Sequence, residues 1–207
     1  MPSRPRTLIT AVGCLLAVAA LIALRPVPDR APAPTVSATP SEHAVPAWHS
    51  AFAEADSRPS IGQPWQASTD KRQGGGSEAR LLHHEDSTGS GFLRVEGSVM
   101  PGAAYPWSGA IWMLGETPMQ PVDARTRGEI VLRVRGDGRR LMLMLLSGEP
   151  GGLPQMRWLD TTGDWQTERL TLAGFPGAEL GRLRAVVLAA SLPHGDFHFD
   201  LASLSIQ

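Results

Sequence analysis

The stretch Ser68-Thr69-Asp70-Lys71-Arg72-Gln73-Gly74-Gly75-Gly76-Ser77 places an acid, three consecutive glycines and a hydroxyl within ten residues. Glycine serves where a backbone needs positive φ or where another group must come close. A shaped turn of this kind offers backbone N–H groups to an anion or a sugar hydroxyl. Asp70, Gly74, Gly75 and Ser77 are therefore candidate ligand contacts. The ordinary alternative is a turn between two strands.

A second group is aromatic. Tyr105, Trp107, Trp112 and Trp158 put several large rings in a short region. Sugars stack their apolar faces on such rings while guanidinium and amide donors meet their hydroxyls, a role open to Arg133, Arg135, Gln155 and Arg157. Tryptophan is also buried on average, so Trp112 and Trp165 read as core, whereas Tyr105 and Trp107 are open to either role. Tyr105, Trp107, Trp158, Arg133 and Arg135 complete the candidate ligand set.

Catalytic and metal chemistry find weaker footing. His83-His84-Glu85-Asp86 is a run of metal-ligand types, but successive strand residues point to opposite faces, so His83 and His84 cannot readily share one ion. His198, Asp200 and Ser205 contain the residue types of a triad with no nucleophile elbow beside them. Asp160, Asp164, Glu168 and Asp123 supply carboxylates in turns, without a visible pair at hydrolase spacing. Cys14 is the only cysteine, and it lies in an apolar run, so neither a disulfide nor thiolate ligation is expected in the rest of the chain. The expectation is a non-enzymatic protein with no cofactor and no bound metal.

Positioning these residues requires a scaffold, and the pattern points to strands. Leu93, Val95, Gly97 and Val99 alternate with Arg94, Glu96 and Ser98, as in a half-buried strand. Ile130, Leu132 and Val134 do the same before Gly136-Asp137-Gly138, and a nearly continuous apolar run to Leu146 follows, so the two read as a hairpin. In that run Met142 and Met144 share the face opposite Leu141, Leu143 and Leu145, and either both faces are buried or the methionines floor a soft groove. Runs at 165–172, 183–190 and 197–206 complete eight to ten strands, with Phe197, Phe199 and Leu201 on one face and His198 and Asp200 on the other. No long amphipathic helix interrupts them. The fold class is all-β, a jelly-roll β-sandwich.

Residues 1–25 stand apart. Arg4 and Arg6 precede an uncharged run from Leu8 to Leu24, the layout of an export signal or an uncleaved membrane anchor. The basic flank sends the remainder outward. Residues 26–62 are rich in proline and alanine and read as an extended spacer, with Trp48 and Phe52 as an i,i+4 pair on one or two helical turns. The domain proper is placed at 63–207. Formal charge is −1, with no acidic residue before Asp29, so the exported part is mildly acidic and a nucleic-acid partner is not expected.

The turn from Asp70 to Leu81, the sequence Leu132-Arg133-Val134-Arg135-Gly136-Asp137-Gly138-Arg139, the turn Gly163-Asp164-Trp165-Gln166 and the closing Gly195-Asp196-Phe197-His198-Phe199-Asp200 resemble the complex I intermediate-associated protein 30 family. Lys71 stands where that family commonly has a second acid, and Arg72-Gln73 where it has an apolar pair. The resemblance implies a galactose-binding-like jelly roll, akin to certain carbohydrate-binding modules, and an assembly or chaperone-like role. With the export segment, it implies a domain on the periplasmic side of a bacterial inner membrane, or one secreted to the periplasm. Its partner there is a protein of an envelope complex, or alternatively a glycan bound on an aromatic-lined concave face.

Overall fold

A computed structural model describes residues 46–207. The expected anchor at 1–25 and most of the spacer lie outside the described residues. Among those described, no helix is long and apolar enough to cross a membrane.

Among the described residues, eleven strands form two antiparallel sheets. The first sheet contains β1 (Trp48–Ala51), β3 (Glu78–Glu85), β4 (Gly91–Val99), β6 (Glu129–Gly136), β9 (Gln166–Thr171) and β11 (Gly195–Ile206), ordered β3-β4-β11-β6-β9 with β1 paired to the end of β11. The second contains β2 (Gln66–Thr69), β5 (Ser108–Met113), β7 (Leu141–Ser147), β8 (Gln155–Leu159) and β10 (Leu183–Ala190), ordered β2-β5-β10-β7-β8.

Two-residue periodicity decides which side chains meet between the sheets. The first contributes Leu93, Val95, Ile130, Leu132, Val134, Phe197, Phe199, Leu201 and Leu204, and the second Ala110, Trp112, Leu141, Leu143, Leu145, Val186 and Leu188. These form one contiguous core. The expected alternation along β4, β6 and β11 is what the structure has.

Two local expectations are corrected. The runs on either side of Gly136-Asp137-Gly138 are not a hairpin: β6 pairs with β11 and β9, whereas β7 pairs with β10 and β8 in the other sheet. The turn therefore carries the chain across the sandwich. The composition already separates the two strands, since β6 alternates and faces water on one side, while β7 is apolar on both faces. Nor do Trp48 and Phe52 share helical turns. Trp48–Ala51 is a strand that pairs with Ser203–Ile206 of β11, so residues that composition assigns to the spacer complete the first sheet. Phe52 meets Trp65 edge-on at 6.3 Å, and Arg127 lies 4.5 Å over the ring of Trp48.

Candidate binding groove

Strands buried on one side by the core must cover or expose their other face. On β7, β10 and β5 that outer face is also apolar. Cross-strand registers set Met156, Met144, Val187 and Ile111 in one row, Trp158, Met142 and Ala189 in a second, and Leu146, Ala185 and Met113 in a third. Of these, Ile111, Met142, Met144, Ala185, Val187 and Ala189 make a second apolar cluster, separate from the core, with Met113, Leu146 and Trp107 packed against it. A groove of about 700 Å³ runs over this face. Its floor includes Ile111, Met113, Met144, Leu146 and Val187, and its rim includes Gln66, Thr69, Lys71, Arg72 and Glu149. Of the two methionines predicted either to be buried or to floor a groove, both are buried, at about 5–6% exposed, and Met144 also lines the groove.

Two polar devices hold the rims. Asp70 is fully buried at the start of a short 3₁₀ turn, Asp70–Gln73. One of its carboxylate oxygens accepts from the Ser77 N–H at 3.1 Å, and the other from the Ser77 hydroxyl at 2.8 Å and the Trp107 N–H at 3.2 Å. The Ser77 hydroxyl oxygen in turn accepts from the Met100 N–H at 2.9 Å. A single carboxylate thus ties the entry of β3 to the backbone that presents Trp107. Opposite, the buried Arg184 donates from Nε to the Gly148 carbonyl at 2.7 Å and from Nη1 to the Met119 carbonyl, pinning two rim loops. Arg182 bonds Glu149 at 2.6 Å and holds that exposed carboxyl below the usual range.

Asp70, Gly74, Gly75 and Ser77 are brought together, but around one another. Gly74 takes the left-handed conformation at φ 83°, and a Cβ on Gly75 would lie 2.1 Å from the Asp70 carboxyl. The N–H groups expected to face a ligand are engaged internally, Gly74 with the Lys71 carbonyl and Gly75 with that of Asp70. Lys71, where an acid was expected, reaches across the turn to Glu78 at 3.0 Å.

The remaining candidates divide between sites. Trp107 lines the groove, Trp158 lines a smaller depression with Arg139, Arg140 and Leu192, and Tyr105 is 82% exposed and lines neither. Arg140 lies 5.3 Å over the Trp158 ring. Arg133 and Arg135 are on the opposite sheet, 5.3 and 4.6 Å over Trp165. Trp165 is therefore no core residue: it is half-buried on an outer face, meeting Phe92 at 5.6 Å. Trp112 is buried as expected. Groove residues not anticipated as contacts are Gln66, Thr69, Ile111, Leu146, Val187 and Arg184; for Leu146 and Val187 the signal was the apolar run of β7 and β10 on both faces.

The catalytic candidates also disperse. His83 meets the Phe52 carbonyl at 3.0 Å, while His84 stacks on Phe92 at 5.8 Å, so the two rings point apart. Asp200 serves two arginines, bonding Arg94 Nε at 2.7 Å and Arg135 Nε at 2.7 Å. Asp160 pairs with Arg140 and Asp123 with Arg125. Among the described residues, Glu149 is the only carboxylate lining the groove.

Asp200 makes a testable statement about acid. Burial raises its carboxyl pKa, but hydrogen bonds from Arg94 and Arg135 outweigh burial and leave it below the usual value of 3.8. A depressed folded-state value contributes stability that is complete above the unfolded carboxyl's pKa and disappears as pH falls through the folded one. Urea unfolding should show this contribution intact at pH 7 and progressively lost as pH falls below the unfolded carboxyl's value of about 3.9. In Asp200→Asn the same acid-limb loss should be absent, and an unchanged acid limb would refute the assignment.

A sequence profile of the family described as complex I intermediate-associated protein 30 (CIA30) matches residues 52–189. No protein of curated description matches the chain. Among solved structures, a family 11 carbohydrate-binding module from Clostridium thermocellum, in complex with a β-1,3-1,4-mixed-linked tetrasaccharide, superposes with a TM-score of 0.55 at 11% identity, covering 78% of this chain and 96% of that one. The family 11 module of the cellulosomal cellulase Lic26A-Cel5E from the same organism gives 0.53 at 12% identity, covering 69% and 86%. An exo-β-agarase gives 0.52 at 14% identity, covering 77% of this chain and 25% of that one. At these identities the likeness is one of fold.

Proposed function

From the premise that this chain belongs to the complex I intermediate-associated protein 30 family, we propose that it is a non-enzymatic binding domain that holds a protein partner in its groove during assembly of an envelope complex. The observation that carries the reading is the groove floor. It is built of methionine and aliphatic side chains, with Trp107 the only aromatic ring lining it among the described residues. Methionine adapts to irregular apolar surfaces and suits a polypeptide segment of variable sequence. A sugar site needs rings to stack on and donors converging between them, and here Trp107, Tyr105 and Trp158 share no cleft. A two-carboxylate hydrolase would need a partner for Glu149, and no second acid lines the groove. The basic flank and apolar run of residues 4–24 support a tether that leaves the domain on the periplasmic side of a bacterial inner membrane.

The test pairs two probes with one variant. The full chain in detergent is offered reduced, carboxymethylated α-lactalbumin as an unfolded polypeptide, and separately a glycan array. Met144→Lys sets a charge on the groove floor and should weaken polypeptide binding by about tenfold or more while the circular dichroism spectrum is kept. Glycan binding lost in Trp107→Ala, with no polypeptide binding, would replace this reading by the carbohydrate one.

A further inference from the structure

Among the described residues, strand β8 closes the second sheet and has β7 on one side only. Every second residue of such an edge turns its N–H and C=O away from the sheet, toward whatever strand is added there. Natural edges are usually guarded by charge, proline or bulges. The edge strands of the first sheet follow that rule, with Glu78, Arg80 and Glu85 on β3 and Glu168 and Arg169 on β9, and β2 is polar. The sequence of β8, Gln-Met-Arg-Trp-Leu, has neither proline nor bulge, and its register with β7 is regular from Gln155 to Leu159. Met156 is 46% and Trp158 43% exposed, and Leu153 just before the strand is 89% exposed. Met156 extends the row of Met144, Val187 and Ile111 that floors the groove, and Trp158 extends the neighbouring row of Met142 and Ala189. Between Met156 and Trp158, on the other face, Arg157 donates to the Gly174 carbonyl at 3.3 Å and, among the described residues, has no carboxylate partner.

We propose that β8 is a strand-addition site, taking an extended segment of a protein partner that reads apolar–acidic–apolar. The added backbone completes the open ladder, its apolar side chains lie beside Met156 and Trp158, and its acid lies beside Arg157. The charge also selects against a second copy of this chain, because antiparallel self-pairing centred on the strand sets Arg157 against itself. This inference rests on the reading that the partner is a protein, and it adds the edge to the groove floor as a second, independently testable contact.

The probe is a fluorescein-labelled nonapeptide with Ile-Glu-Ile at its centre and threonine flanks, titrated against the full chain in detergent by anisotropy. An Ile-Lys-Ile version and a version N-methylated on alternate residues along one edge serve as controls. The glutamate peptide should bind about tenfold more tightly than the lysine peptide, and Arg157→Glu should reverse the order. N-methylation of the pairing edge should abolish binding, and amide exchange at residues 155–159 should slow when the peptide is bound. Ile111→Lys, a groove-floor change three strands away from β8 across the sheet, should leave peptide affinity within about twofold, so failure at the floor and failure at the edge are separately visible. No binding by a natively folded chain would overturn the proposal. So would binding indifferent to N-methylation and to Arg157→Glu, or a dimer in sedimentation that Arg157→Pro dissociates.

Discussion

Asp70→Ala is expected to lower the unfolding free energy by about 3–5 kcal/mol. The carboxylate has no exposed surface and accepts three hydrogen bonds, two from Ser77 and one from the Trp107 backbone. Alanine leaves those three donors facing a void too enclosed for bulk water to replace the lost oxygens. Asp70→Asn keeps one acceptor and turns an NH₂ group toward the other donors, so it should cost roughly 2 kcal/mol less than alanine but still destabilise. Urea titration followed by circular dichroism measures both. The loss should also reach the groove, because the bond to the Trp107 N–H is what registers that ring against the floor. A wild-type midpoint in Asp70→Ala would mean that the Gly74–Gly76 turn holds itself.

The same residue shows what sequence reading could reach. Asp70, Gly74, Gly75 and Ser77 were legible as a unit, because an acid, glycines and a hydroxyl at that spacing have few uses. The direction of their chemistry was not legible. Whether a carboxylate points outward to a ligand or inward to its own turn depends on tertiary neighbours such as Trp107, which lies 37 residues away. The strands of the first sheet were readable from alternation, since one face is wet. Strands β7 and β10 read only as apolar, and period alone cannot tell a strand buried on both sides from one whose second face floors a groove. The apparent hairpin at Gly136-Asp137-Gly138 failed for a related reason. A short turn usually joins paired neighbours, but here the change from alternating to continuous apolar character marks a change of sheet. Arg133 and Arg135 were placed with the tryptophans because all are donors or platforms for sugars, and only the topology separates them onto opposite faces.

Trp112→Ala should cost about 3–5 kcal/mol, by the removal of a large ring from a site with no exposure. The indole stacks on Trp65 at 6.1 Å, and its Nε1 donates to the Ile61 carbonyl at 3.1 Å, so it secures the segment before β2 as well as the core. Trp112→Phe retains much of the volume and loses that hydrogen bond, and should cost roughly half as much. Ile111, the preceding residue, points to the groove on the opposite face of the same strand. Alternation therefore puts stability and binding on adjacent residues. Ile111→Lys should leave the unfolding midpoint closer to wild type than Trp112→Ala does, yet abolish polypeptide binding at the groove. At a temperature where Trp112→Ala remains folded, that variant should bind polypeptide nearly as well as wild type. If instead both variants lose stability and binding in proportion, the outer face of β5 is an extension of the core, and the partner must sit elsewhere on the sandwich.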